Sequence, residues 1–208
     1  RTQLRAAIRA SHYGHLQLML PMVSSIEDIR RAKREIEDVK EELRREGFPF
    51  NQALEIGVMI EIPALAQIAD LVAQEVDFAS IGTNDLCQYA TASDRTNPGV
   101  SSYYQNFHPG LLRLLKNTID GFKTAGTPIS VCGEMGGNKL AIPLLVGFGL
   151  RMLSMNSASI PEAKYILSLY TIKEMEAMAD HVLRMRTADE VQMYLSEILV
   201  KKKDSVEK

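Results

Sequence analysis

Three short apolar runs in this chain each end on polar side chains that could do chemistry. Residues 55–61 end on Glu61, residues 76–82 run into Asn84 and Asp85, and residues 129–132 end on Cys132 with Glu134 just beyond. Glu61 and Asp85 together could bind one divalent cation. A hard ion such as Mg2+ accepts one or two carboxylates and takes its other ligands from water and substrate oxygens. Asn84 can hydrogen-bond a substrate oxygen. Arg95, in the polar stretch that follows, is the nearest candidate for holding a phosphate or carboxylate in a bidentate clamp. Taken singly, each group has a plainer reading. Glu61 before Pro63 can be a helix-start residue, Arg95 beside Asp94 a surface pair, Cys132 a small core residue, and the stretch from Gly82 to Asp85 a turn. Repetition of the same strand-then-polar-tip pattern favours a shared site. Cys87 reads as a small core residue, and Tyr103 and Tyr104 as packing or dimer contacts.

These groups can meet only if the three runs are neighbouring parallel strands with their C-terminal ends at one mouth, where parallel α/β folds bind ligands. The rest of the chain fits that demand. Strands are expected over residues 16–22, 55–61, 76–82, 129–132 and 152–155. Helices are expected over 1–11, 26–45, 64–74, from His108-Pro109 to Gly126, over 140–146 and 160–170, and near 172–185 and 188–199. Ser24 or Ser25 suits the N-cap of the second helix, with Glu27 and Asp28 near its positive end. A long polar loop is expected over residues 88–106, and a charged, frayed tail over 201–208. Strands alternating with helices predict parallel pairing with right-handed crossovers. Two α/β architectures fit: a five-stranded doubly wound sheet, or a partial TIM (β/α)8 barrel of about five parallel β/α units, since a complete barrel needs about 250 residues. No Gly-x-Gly-x-x-Gly follows the first strand, which leaves a dinucleotide-binding version without support.

Composition narrows the class. The 208 residues are 46% hydrophobic and 24% charged, values of a globular domain, and one domain suits the length. A net charge of −2 gives no reason to expect nucleic acid or a membrane surface as partner. No apolar run reaches membrane-spanning length, and the basic, helical start has no signal-peptide core. Cys87 and Cys132 lack metal-ligand spacing, and His12, His15, His108 and His181 form no metal motif. A reducing cytoplasm is therefore the expected location.

Longer stretches carry a resemblance. Residues 57–63 (Gly-Val-Met-Ile-Glu-Ile-Pro), 77–86 (Asp-Phe-Ala-Ser-Ile-Gly-Thr-Asn-Asp-Leu), Asp94-Arg95, Cys132-Gly133-Glu134 and Ser159-Ile160-Pro161 resemble the phosphoenolpyruvate-binding barrel of the Enzyme I family. These are the phosphoenolpyruvate–protein phosphotransferases of the bacterial sugar phosphotransferase system. Gln88-Tyr89 before Asp94-Arg95, and His108-Pro109 opening a helix, favour this family over pyruvate phosphate dikinase and phosphoenolpyruvate synthase. The resemblance implies that Glu61 and Asp85 ligate Mg2+ and that Asn84 and Arg95 hold the phosphate of phosphoenolpyruvate. It implies that Cys132 protonates the enolate carbon to give pyruvate, a task for which a positioned thiol qualifies. It further implies a homodimer and, through a histidine domain, a small phosphocarrier protein as partner.

The chain departs from the family pattern in several places. Only the last five barrel strands have counterparts, and no Thr-Ser-His motif occurs. Gly136, Gly137 and Asn138 stand where the family has Ala-Gly-Asp, and Cys87 stands for the usual Thr. Residues 1–200 are thus expected to be the C-terminal part of a barrel in a larger enzyme, unable to turn over phosphoenolpyruvate alone, and its open sheet is expected either to self-associate or to be partly disordered or rearranged. Other readings stay open: a dikinase or synthase piece, a non-catalytic dimerisation module, or a Mg2+-dependent aldolase or lyase of pyruvate-type substrates. The last explains Glu61 and Asp85 but not Cys132 or Arg95.

Overall fold

A computed structural model describes residues 1–206. Short runs rich in Ile, Val and Leu form four strands: β1 (Gln17–Leu20), β2 (Glu55–Ile60), β3 (Phe78–Gly82) and β4 (Ile129–Cys132). They lie in the order β1-β2-β3-β4, and every neighbouring pair is parallel. Parallel neighbours cannot be joined by tight turns, so helices make the crossovers. Helix α1 (Thr2–Ala10) leads into β1, and α2 (Ile26–Arg45) joins β1 to β2. The β2–β3 link is α3 (Pro63–Gln67) with α4 (Ala69–Val72), and the β3–β4 link is α5 (Thr83–Ala90) with α6 (Pro109–Ala125). Beyond β4 come α7 (Ala141–Gly147), α8 (Ile160–Ser168), α9 (Ile172–Val182) and α10 (Ala188–Val206).

The helix boundaries have local causes. Ser25 caps α2 by accepting the Asp28 amide, and Glu27 and Asp28 occupy its first turn. Gly126, in the left-handed conformation at φ 73°, ends α6. Thr171 and Glu174 form a reciprocal capping box that starts α9.

Side-chain alternation sorts the sheet into two faces. Ile56, Val58 and Ile60 of β2, Ala79 and Ile81 of β3, and Val131 of β4 are buried in the hydrophobic core. There they join Leu111, Leu115, Ile119 and Phe122 of α6 in one cluster, apart from Ile56, which packs with Ile36, Val39 and Leu43 of α2. The opposite face carries Gln17, Met19, Glu55, Gly57, Met59, Phe78, Ser80, Ser130 and Cys132, none of which belongs to either core cluster. Helices covering one face and leaving the other as an interior are barrel geometry rather than a doubly wound sheet. The fold is an α/β partial barrel that does not close.

Four expectations are corrected. The fifth strand at residues 152–155 is reduced to a single parallel bridge, Val131↔Leu153. The Val131 amide donates to Met152 O at 3.2 Å and the Ser154 amide to Val131 O at 2.8 Å. The segment is short because Gly149 (φ 113°) turns the chain just before it and Asn156 caps the 3-10 turn Ser157–Ser159 just after it. The helix expected over 64–74 breaks at Ile68 (φ −110°, ψ 31°) into α3 and α4. The polar loop begins only after α5, so Asn84 and Asp85 stand in the first turn of a helix, and a 3-10 turn over Pro98–Tyr103 shapes the remainder. Finally, α10 continues through the expected tail as far as Val206, while residues 207 and 208 lie outside the described residues.

Candidate functional site

Strand register brings the polar ends together. Ile60 pairs with Ile81, and one step further Gly82 pairs with Cys132. Glu61, the residue after β2, therefore comes level with Gly82 and Cys132 across three adjacent strands. The Glu61 side chain is only 6% exposed. Its Oε1 accepts the Met22 amide at 2.7 Å. Met22 follows Pro21 and holds φ 53°, an uncommon left-handed conformation for a residue with a side chain. Glu61 Oε2 faces Gly82, where an added Cβ would stand 3.0 Å from it. Gly82 thus leaves room for the carboxylate at the mouth.

The first turn of α5 is fastened to the end of β4. Thr83 Oγ1 donates to Cys132 O at 2.9 Å, and the Glu134 amide donates to Asn84 Oδ1 at 3.1 Å. Gly133 makes the close approach possible. It adopts φ 92° and ψ −174°, backbone that only glycine takes readily, and a Cβ there would lie 2.7 Å from Thr83 Oγ1. Cys132 is partly exposed on the inner face. Its thiol lies 3.4 Å from Ile81 O and 3.4 Å from Met59 Sδ.

Asp85 also stands in the first turn of α5, where the helix end favours negative charge. Arg95 Nη2 is 3.9 Å from Asp85 Oδ1, with side chains 41% and 34% exposed. A pair that open and that long contributes little stability and leaves the guanidinium available for a ligand. Tyr104, read from the sequence as a packing or dimer residue, donates its hydroxyl to Asn84 O at 3.2 Å. Burial pushes its phenol up to about 12, Cys87, Glu134 and Asp85 add to the rise, and Arg95 opposes it. Tyr103 is 65% exposed.

Glu61, Asn84, Asp85, Arg95 and Cys132 are thus linked, through direct contacts or a shared register, at one end of the sheet. Among the described residues no group of three or more His, Cys, Asp or Glu side chains is arranged to hold a metal ion. Glu61 and Asp85 are carboxylates at this end of the sheet, and two carboxylates are the kind of donor Mg2+ takes alongside the oxygens of its substrate. Gly82 and Gly133 enter the sequence reading only as letters of motifs, with no part in the geometry, and Met22 only as the end of a strand. Glycines directly beside polar tips were the available signal for the first two; nothing in the sequence marked Met22.

An apolar concavity lies elsewhere. A groove of about 630 Å³ beside the Val131↔Leu153 bridge is lined mainly by apolar side chains such as Val146, Leu153, Leu167 and Met175. It contains none of the polar strand-end residues. Volume here reflects an uncovered apolar surface, whereas the strand-end site is defined by converging polar groups.

The family described as "PEP-utilising enzyme, PEP-binding domain" matches residues 1–172. A phosphoenolpyruvate-protein phosphotransferase of Listeria monocytogenes is 45% identical over 191 residues, 92% of this chain and 33% of that protein. The protein of the same description from Bacillus subtilis is 43% identical over 197 residues, 95% of this chain and 35% of that protein. The chain spans about a third of the length of the curated relatives it matches. Among solved structures, a citrate lyase from Burkholderia xenovorans shares the fold at a TM-score of 0.55 and 16% identity, covering 98% of this chain and 68% of that one. The residues matched by the family extend from α1 through the end of α8 and include every strand-end group described above, so the chain belongs to the family of PEP-utilising enzymes, as their PEP-binding domain.

Proposed function

We propose that this chain binds phosphoenolpyruvate as part of a phosphoenolpyruvate–protein phosphotransferase, the enzyme that opens phosphotransferase-system sugar uptake. The observation that carries the reading is the row of Glu61, Gly82 and Cys132 across three strand ends, with Asn84 and Asp85 fastened beside it. Arg95 and the Asn84 amide hold the phosphate. Glu61 and Asp85 would hold Mg2+, which when bound would supply neutralisation of the negative charge of the transferring group.

In the reaction the phosphoryl group leaves the enol oxygen for a histidine supplied outside this chain. The enolate carbon then takes a proton from the Cys132 Sγ–H, giving pyruvate, and water returns a proton to the thiolate. The histidine later hands the phosphoryl group to a small phosphocarrier protein. The open sheet edges favour a homodimer, and the cytoplasm is where a reduced Cys132 and phosphoenolpyruvate meet. A lyase reading leaves Cys132 and Arg95 without a role.

Titration calorimetry tests the reading. Phosphoenolpyruvate with Mg2+ binds saturably to the 208-residue chain and binding is lost in Asp85→Ala, while the chain alone forms no pyruvate. Saturable binding unaffected by Asp85→Ala, or pyruvate formation without a phosphoacceptor, overturns it.

A further inference from the structure

The loop that carries Arg95 is held at both ends by groups with no assigned part in chemistry. Asp94, Arg95 and Thr96 are exposed, and an arginine on a free loop would lose much of its clamping energy to ordering. Here the ordering is built in. Gln88, in α5, grips the start of the loop twice: its main-chain oxygen accepts the Ser93 amide at 3.0 Å and its Oε1 accepts the Arg95 amide at 3.1 Å. Ala92, at φ 51°, turns the chain sharply enough for both bonds to form. Asp94 Oδ1 then accepts from the Thr96 amide and hydroxyl, which fixes the turn beyond Arg95. At the far end, after the 3-10 turn Pro98–Tyr103, the Tyr104 hydroxyl returns to Asn84 O at 3.2 Å.

We propose that Gln88 and Tyr104 are positioning residues for the phosphate of phosphoenolpyruvate: Gln88 aims Arg95 through the Arg95 backbone amide, and Tyr104 anchors the same loop to the Asn84 carbonyl. This rests on the phosphoenolpyruvate reading above. The two grips span the ends of the loop and act on the two residues assigned to the phosphate. Arg95 is therefore presented over the first turn of α5 before any ligand arrives, and binding need not order it. A phenol is protonated at neutral pH, so the Tyr104 hydroxyl is a donor there.

The test is a double-mutant cycle read by calorimetry, with phosphoenolpyruvate and Mg2+ as the probe and the 208-residue chain as the protein. Gln88→Met keeps the side-chain length and deletes the acceptor; it weakens binding about fivefold, the worth of one hydrogen bond. Gln88→Glu keeps an acceptor and returns affinity to within about twofold of wild type. In an Arg95→Ala background Gln88→Met has no further effect, because its action runs through Arg95. Tyr104→Phe keeps the ring in place and loses only the donor; it weakens binding by a similar factor and speeds hydrogen exchange at the Arg95 amide. Wild-type binding with Gln88→Met and Tyr104→Phe at full affinity, or a Gln88→Met loss undiminished in Arg95→Ala, overturns the positioning role and leaves the phosphoenolpyruvate reading intact. A wild-type chain with no saturable binding overturns both.

Discussion

Replacing Gly133 with alanine separates the two demands the site makes on this position. The first demand is conformational: at φ 92° and ψ −174°, a side chain costs about 1–3 kcal/mol. The second is spatial. The new Cβ would meet Thr83 Oγ1 at 2.7 Å and Asn84 Oδ1 at 3.0 Å, and neither atom can yield without loosening a bond. Thr83 Oγ1 donates to Cys132 O, and Asn84 Oδ1 receives the Glu134 amide. Losing both costs about 2 kcal/mol at roughly 1 kcal/mol each. Local relaxation recovers part of the sum, so Gly133→Ala destabilises the chain by about 2–4 kcal/mol. Gly126→Ala is the internal control. That residue has φ 73° but nothing within 4 Å of its would-be Cβ, so it reports backbone strain alone, about 1 kcal/mol. Urea denaturation gives both values from the midpoints and a common slope. Amide exchange at Glu134 reports the lost bond directly. If Gly133→Ala costs no more than Gly126→Ala and the Glu134 amide stays protected, the close approach of α5 to the end of β4 does not hold the site together.

Other predictions follow from single groups. Phe122, fully buried between α6 and the sheet, loses about 3–5 kcal/mol of stability as Phe122→Ala, seen as a lower urea midpoint with helical circular dichroism retained. Retention of the wild-type midpoint would place the core elsewhere. Glu174 is held down to about 2 by the Lys202 ammonium, then by the Thr171 amide and hydroxyl. A depressed folded value means its stabilising effect is complete above the ordinary carboxylate range and is lost as pH falls toward 2. NMR titration of Glu174 with an ordinary midpoint would show that α10 does not dock on the start of α9 through Lys202. Burial raises the Cys87 thiol to about 11, while Cys132 is partly exposed, so iodoacetamide at pH near 8 alkylates Cys132 first and leaves Cys87 unmodified in the native chain. Two equally fast thiols would mean that α5 does not bury Cys87.

The open sheet explains why the apolar groove and the chemical site differ. Leu153 bridges to β4 on one side only, and the apolar side chains beyond it line the groove rather than a closed interior. The inner face, with Met59, Ser80, Ser130 and Cys132, is the complementary half of the same fact. Large and small residues alternate on it, the Phe78 ring lying over Gly57, as a barrel interior filled by layers from several strands requires.

The sequence alone determined the alternation of strands and helices, four of the five expected strand positions, and the polar tips Glu61, Asn84, Asp85 and Cys132. These are local properties: period-two burial, β-branched runs, caps at Ser25 and Gly126, and motifs contiguous in the chain. The β/α pattern by itself left barrel and doubly wound sheet open, because both are written by it, and it was the resemblance that pointed to a partial barrel. On physical grounds the tertiary structure bears the barrel out, since which face of the sheet the helices cover depends on which residues far apart in the chain share a core, as Val58 of β2 and Phe122 of α6 do. Tertiary contact also reduced residues 152–155 to a single bridge, because a strand persists only where a neighbour pairs with it. It gave Met22 and Tyr104 their places around the site through bonds to Glu61 and Asn84, 39 and 20 positions away, and Gly133 its place through the close approach of Thr83 and Asn84, none of which a local pattern announces.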